Sequence, residues 1–393
     1  MVETEAMAPE GGDPGNLVPD CGGIIKQIAL ALPAAFLGNE APDDGFQPLI
    51  PIGNLLCSLP ADIEVFLLVE QATASRADFW ARSLNAQCRI ALVSVPEEQG
   101  RISSPWIQDA FLVREASGST TDEILTTQMD AVGRSLADML SIEAHPAPLF
   151  LPGGNQLVGP DFRLIGLSQV KAEKGSSPAQ PAFEISQQID RRPVHVFGYN
   201  PKDLSKRNDD QAKVRTLPEA KNLLSAGHQF GFHVDQFVSV TGLERNGRPL
   251  LLVGDPCDPD GLKRPLVETA RQSLDASVRA LIRQGFEVMR NPVPYAVTPD
   301  SGKRLPRLYN NLMLENEVRP GREKPFAWLP QFGDIEPLAA FDRLNSEIWE
   351  GLGFEVIPVF GWSHLASRNG ALRCSTKVLR RSPLRRLGGT ETI

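Results

Sequence analysis

Apolar positions along this chain fall into two rhythms. Short runs rich in β-branched residues, at Ile63 to Val69, Ile90 to Val95 and Leu250 to Val253, read as strands. Stretches with apolar residues recurring at intervals of three and four read as amphipathic helices, expected over Thr73 to Leu84, Asp122 to Leu140, Thr269 to Gln284 and Leu338 to Glu350. In the second helix Leu125, Met129, Val132, Leu136 and Met139 share a face. In the third Leu274, Val278, Leu281 and Ile282 do so, and Gly285 stands where a left-handed residue ends a helix. Strands alternating with helices point to an α/β fold.

A repeat runs through this alternation. Gly285-Phe286-Glu287-Val288-Met289 precedes Pro292-Val293, and Gly353-Phe354-Glu355-Val356-Ile357 precedes Pro358-Val359. Each follows an amphipathic helix. Cys88 to Val93, then Pro96, is a looser third copy. A distinctive polar segment comes after each copy: Asp109, Tyr309-Asn310-Asn311 or Cys374. The unit of about 60 to 70 residues exceeds most solenoid repeats. Such a module arrayed about an axis brings one polar position per copy to a shared centre.

Composition narrows the class. The 393 residues are 22% charged and 41% hydrophobic, ordinary for a globular protein. A net charge of −8 disfavours general nucleic-acid binding and suits a cationic substrate better. The five cysteines, Cys21, Cys57, Cys88, Cys257 and Cys374, are scattered without zinc-like spacing, so neither a structural metal nor a disulfide framework is expected. A reducing, cytoplasmic setting fits that pattern. The acidic start lacks the basic region of a secretory signal. No apolar run reaches the ~18 residues of a membrane span; Ile24 to Leu37 is short and is interrupted by Lys26 and Pro33. Residues 1–17, rich in Gly, Pro and acids, are expected to be disordered, 18–381 to form a single domain, and 382–393 to be a basic flexible tail.

Four residues carry candidate chemistry. Cys374 sits among polar neighbours, and Arg373 and Lys377 are placed to lower its thiol pKa; the alternative is a buried structural thiol. His233 and Asp235, read as a strand, share one face within an aromatic run, as a pocket wall or a self-satisfied pair. Asp109, after Trp106 and Gln108, either caps a turn or accepts from a substrate cation. Gly153-Gly154-Asn155 alone is a turn signal.

Taken together, the segments resemble the guanidine-modifying (pentein) superfamily, and most closely the peptidylarginine deiminases. Trp106-Ile107-Gln108-Asp109, Gly154-Asn155, His233-Val234-Asp235-Gln236-Phe237, Asn310 to Leu314 and Gly370 to Thr376 match the family's motifs in order, over roughly residues 60 to 381. The resemblance implies a five-bladed α/β propeller of ββαβ modules. It implies hydrolysis of a guanidino group to citrulline and ammonia, on peptide-bound arginine or on a small guanidine such as agmatine or free arginine. Cys374 would be the nucleophile, His233 the proton donor and acceptor, and Asp109 and Asp235 the guanidinium clamps. Trp106, Gln108, Asn155, Asn311 and Arg373 would line the substrate.

Two departures stand out. Arg373 replaces the family's His before the nucleophile, which leaves a non-catalytic guanidinium-binding scaffold as a rival reading. Animal members of the family need calcium, but the ligand positions here carry Ala110, Leu112 and Leu157, whose alkyl side chains cannot coordinate a hard cation. Activity without calcium or another cofactor is expected.

Overall fold

Parallel strands cannot be joined by a tight turn, and the helices between the β-rich runs supply the crossovers. The computed structural model describes residues 15–38, 47–115, 122–126, 131–170, 182–205, 216–298 and 301–382. Among these, the strands form five small sheets in a mixed α/β fold. Four share one plan: an antiparallel pair, then a third strand parallel to the second. Phe111–Glu115, Glu123–Thr126 and Glu143–Pro146 form the first, crossing through the helix Ala131–Leu140. Gln156–Val158, Arg163–Gly166 and Val194–Phe197 form the next. Val238–Arg245, Arg248–Cys257 and Glu287–Val297 follow, with the helix Pro265–Arg283 as crossover. Met313–Leu314, Phe326–Pro330 and Glu355–Val359 repeat it with the helix Ala339–Gly351.

The fifth sheet joins the two ends of the described chain. Lys377–Arg381 pairs antiparallel with Ile25–Leu32, which lies parallel to Glu64–Glu70 and, beyond it, Arg89–Val95. The helices Leu49–Ser58 and Ala74–Ser83 make these crossovers. The Arg381 side chain donates to the carbonyls of Pro19, Asp20, Gly22 and Leu314, tying the last strand to the first segment. The repeat seen in sequence is the entry to the parallel strands: Gly285 and Gly353 take φ of 100° and 96°, a left-handed turn that a side chain would strain.

Five short polar segments stand directly before the first strands of the five sheets. They are the single turns Ile107–Asp109, Gly153–Asn155 and Val234–Gln236, then residues 309–311 and 371–376. Buried side chains fix the sheets that present them, with Leu30, Leu67, Trp328 and Trp362 in one core cluster and Leu251, Leu274, Trp349 and Phe354 in another.

The structure corrects three expectations. The helix over 122–140 is half strand: Glu123–Thr126 pairs on both edges, and the helix holds only Ala131–Leu140. Ile124 and Leu125 are both buried, and a strand covered on both faces loses its alternation. Met129 lies outside the described residues. The second correction concerns the N-terminal segment, where Asn16–Leu17 pairs with the strand Phe111–Glu115 instead of hanging loose, with Leu17 buried. Residues 1–14 and the tail beyond Ser382 lie outside the described residues; Ser382 itself donates its N–H to the Ile24 carbonyl at 2.7 Å. Third, His233, Asp235 and Phe237 do not share a strand; the strand begins at Val238. Among the described residues no helix is long and apolar enough to cross a membrane.

Candidate active site

The turn carrying His233 and Asp235 exists because side-chain oxygens take its backbone donors. The Val234 N–H donates to Asn155 Oδ1 at 3.1 Å, and the N–H groups of Phe232 and His233 donate to Gln236 Oε1 at 2.9 and 3.2 Å. Gln236 Nε2 in turn donates to the Asn369 carbonyl at 3.0 Å. Donors satisfied in this way do not join a ladder. The chain folds over one turn, and His233 and Asp235 both reach the glycine pair of the neighbouring segment.

Gly154 marks where the groups converge. A Cβ built on it would lie 2.5 Å from His233 Nδ1, 2.9 Å from Asp109 Oδ1 and 3.3 Å from Asp235 Oδ1. Asp109 Oδ1 accepts from the Gly154 N–H at 2.8 Å and lies 3.6 Å from His233 Nδ1. Cys374 Sγ approaches Asp235 Oδ2 at 3.6 Å. Asn311 holds Cys374: its Oδ1 accepts from the Cys374 N–H, and its Nδ2 donates to Sγ at 3.2 Å. His233 Nε2 and Asp235 Oδ1 are buried without a hydrogen-bond partner. Buried polar atoms are normally paired, and these two are not. Exposed Phe232 stacks on His233 with ring centroids 4.3 Å apart.

Burial pushes the Asp235 carboxyl up, with Asp109 adding to it and Arg373 and His233 opposing. Burial first, then Asp235 and Asp109, drive the Cys374 thiol well above its ordinary range. Arg373 counteracts only weakly, so the expectation of a thiol activated by its neighbours is corrected. Lys377 is not among the groups that lower the thiol pKa, and burial and Arg373 bring the lysine's own pKa down to about 8. The other cysteines stand apart from this cluster: all five are free, and burial raises Cys21 and Cys88 to about 12 and about 11.

Four of the five expected substrate-lining residues are committed inside the protein. Arg373 Nη1 donates to Asp235 Oδ2 at 2.7 Å, and Nε and Nη2 donate to Asp20. Gln108 packs between Arg373 and the Thr376 carbonyl; with its amide turned to satisfy both, it donates at 2.9 Å and accepts at 2.8 Å. Asn155, fully buried, holds Val234 and Gln229, and Asn311 holds Cys374. Trp106 is half-buried, its indole against Gly370. Asp20, Gly154 and Phe232 are the additions. Only the Gly-Gly pair carried a sequence signal.

The calcium positions do not fit a metal: Leu112 and Leu157 are buried in apolar clusters. Among the described residues no group of three or more His, Cys, Asp and Glu is arranged to hold an ion.

The sequence matches no protein-family model and no curated protein. Solved structures do match. The agmatine deiminase of C. jejuni aligns over 97% of this chain and 100% of its own, with a TM-score of 0.61 at 14% identity. The agmatine deiminase of Enterococcus faecalis aligns over 93% and 95%, with a TM-score of 0.59 at 12% identity. A protein provisionally named a peptidyl-arginine deiminase aligns over 93% and 98%, with a TM-score of 0.60 at 16% identity. The fold is therefore one that these solved deiminase structures share.

Proposed function

We propose that this protein is a hydrolase that converts a guanidino group into a ureido group and ammonia. A small guanidine is favoured over peptide-bound arginine. The observation that carries the reading is that His233, Asp109 and Asp235 meet at Gly154 while Cys374 Sγ lies 3.6 Å from Asp235. A binding scaffold has no use for a thiol set against Asp235. The small substrate is supported by the burial of Cys374 and His233, each 5% exposed, and by structural neighbours that are agmatine deiminases. We further propose that the five sheets are the blades of an α/β propeller, with the five polar segments at its centre.

The chemistry follows from the charges. A guanidinium placed between Asp109 and Asp235 is held for attack, which removes much of the entropic barrier. Its positive charge also offsets the two carboxylates that keep the thiol protonated, so binding promotes the thiolate. Sγ forms a bond to the central carbon. Its proton passes by way of His233 to one nitrogen, and the C–N bond breaks to release ammonia. Water, deprotonated by His233, then attacks the S-linked carbon. The C–S bond breaks, and thiol and ureido product are restored. No step calls on a metal.

The test is ammonia release from agmatine, arginine and a blocked arginyl peptide, with Cys374→Ala as control. Turnover of agmatine or arginine, lost in Cys374→Ala, supports the reading. Turnover of the peptide alone would reverse the substrate preference, and turnover of none would leave the scaffold as the better account.

A further inference from the structure

Asp235 is shared between two partners. Its Oδ2 accepts from Arg373 Nη1 at 2.7 Å and lies 3.6 Å from Cys374 Sγ, while Oδ1 has no partner. Arg373 is itself immobilised. Nε and Nη2 donate to Asp20 Oδ1 at 3.0 and 2.7 Å, Nη1 and Nη2 to the Gly153 carbonyl at 3.2 Å each, and Nη2 to the Gln156 carbonyl at 3.0 Å. Asp20 is divided the same way: its Oδ2 accepts from the Val158 N–H at 2.7 Å, and its own N–H donates to the Val158 carbonyl at 2.8 Å. A continuous row thus runs from the strand Gln156–Val158 through Asp20 and Arg373 to Asp235 and the nucleophile.

We infer that Arg373 and Asp20 are positioning residues that turn Asp235 so that one oxygen alone, Oδ1, is offered to the substrate cation. The inference rests on the deiminase reading of the site. A free carboxylate meets a guanidinium with both oxygens, fork to fork. Here an internal guanidinium has already taken Oδ2, so an incoming one meets a single fixed acceptor beside Asp109. The groups facing Asp235 are His233 on its own turn, Asp109 across Gly154, and Arg373 and Cys374 from the segment before the last strand. Of these, Arg373 is the one permanent cation. It opposes the burial that drives Asp235 toward its protonated form.

The experiment compares kcat and KM across pH for wild type, Arg373→Gln, Arg373→Lys and Asp20→Asn, on the guanidine that wild type turns over best. For Arg373→Gln, kcat/KM should fall on the order of 100-fold, chiefly through KM. The acid limb of its kcat/KM profile should move up by about one pH unit, because Asp235 loses its nearest cation. Arg373→Lys keeps charge but not the fork and should recover part of the limb. Asp20→Asn should raise KM in the same way and by less, since Arg373 keeps its charge but loses its ionic anchor. A folded Arg373→Gln with KM and acid limb unchanged overturns the inference. If that variant does not fold, an unchanged Asp20→Asn does so. Wild type inactive on every guanidine sinks the deiminase reading itself; an active wild type with unmoved variants sinks only this one.

Discussion

Asn311 grips Cys374 at two points, accepting from its backbone N–H at 3.0 Å and donating to its sulfur at 3.2 Å. The same amide nitrogen reaches the Asp235 carbonyl at 3.3 Å, so one fully buried side chain sets the spacing between Cys374 and Asp235. Asn311→Ala should lower kcat on the order of 100-fold, because near-attack geometry tolerates little misplacement. It should also cost about 1–3 kcal/mol of stability through the Cys374 N–H left unpaired in the interior. Urea denaturation and steady-state kinetics check the two effects. Full activity in a destabilised protein would mean that Asn311 serves the fold alone.

Adjacent glycines separate site from scaffold. Gly154→Ala places a methyl group against His233 Nδ1 and Asp109 Oδ1, while Gly154 keeps an ordinary backbone conformation. The variant should fold with a Tm near that of wild type and lose on the order of 100-fold or more in kcat/KM. A Cβ on Gly153 instead collides with the backbone carbonyl of Gln108, which cannot swing aside. Gly153→Ala should therefore lose stability, by about 1–3 kcal/mol as for other overpacked positions. Circular dichroism melts of the pair decide the matter; equal melts with equal activities would contradict the packing described.

The thiol gives a pH signature that needs no substrate. Burial and two carboxylates hold Cys374 well above the ordinary 9.0, so alkylation by iodoacetamide should be slow at neutral pH and still rising at pH 9. Asp235→Asn removes one of those charges, and the alkylation limb should move down by about one unit or more. An upward or absent shift would place Asp235 outside the electrostatic reach of the sulfur.

Calcium should be irrelevant to turnover. The positions that would supply its ligands hold Leu112 and Leu157 in apolar clusters and the methyl of Ala110. Hard cations require oxygen donors. Activity measured in excess chelator should equal that measured with added calcium. Strict loss in the chelator would reveal oxygen ligands elsewhere.

Much of this architecture is legible in sequence because the module repeats. Gly285 and Gly353 each end a helix and open a parallel strand, and Asp109, Asn311 and Cys374 each precede the first strand of a sheet. The other two polar segments, at Gly153 and His233, belong to the same series. The first escapes the pattern because its strand is short, Gln156–Val158 having only 3 residues. The His233 turn imitates a strand by its alternation, and what bends it is the Asn155 side chain, 79 positions away. Asp20 and Arg373 lie 353 positions apart, and a pair at that separation leaves no local trace. Chemical identity is local and readable, whereas the partner of a buried charge is decided by topology.

Lys377 provides the last test, on stability. It is 7% exposed, and its ammonium lies 5.9 Å from the centre of the Phe111 ring. Burial first, then Arg373, bring its pKa from 10.5 down to about 8, against the pull of Asp20 and Asp109. The unfolded chain therefore holds this proton over a range of pH where the folded chain does not. Stability should fall as the pH is lowered from 10.5 toward 8, and stay reduced below that. The deficit is on the order of 1–3 kcal/mol. Replacing a buried charge with an apolar side chain of similar length is often stabilising. Lys377→Met should accordingly gain about 1–3 kcal/mol at neutral pH and flatten the slope above pH 8, read by urea denaturation at a series of pH values. A less stable Lys377→Met, with the slope intact, would mean that the ammonium is better compensated than its surroundings allow.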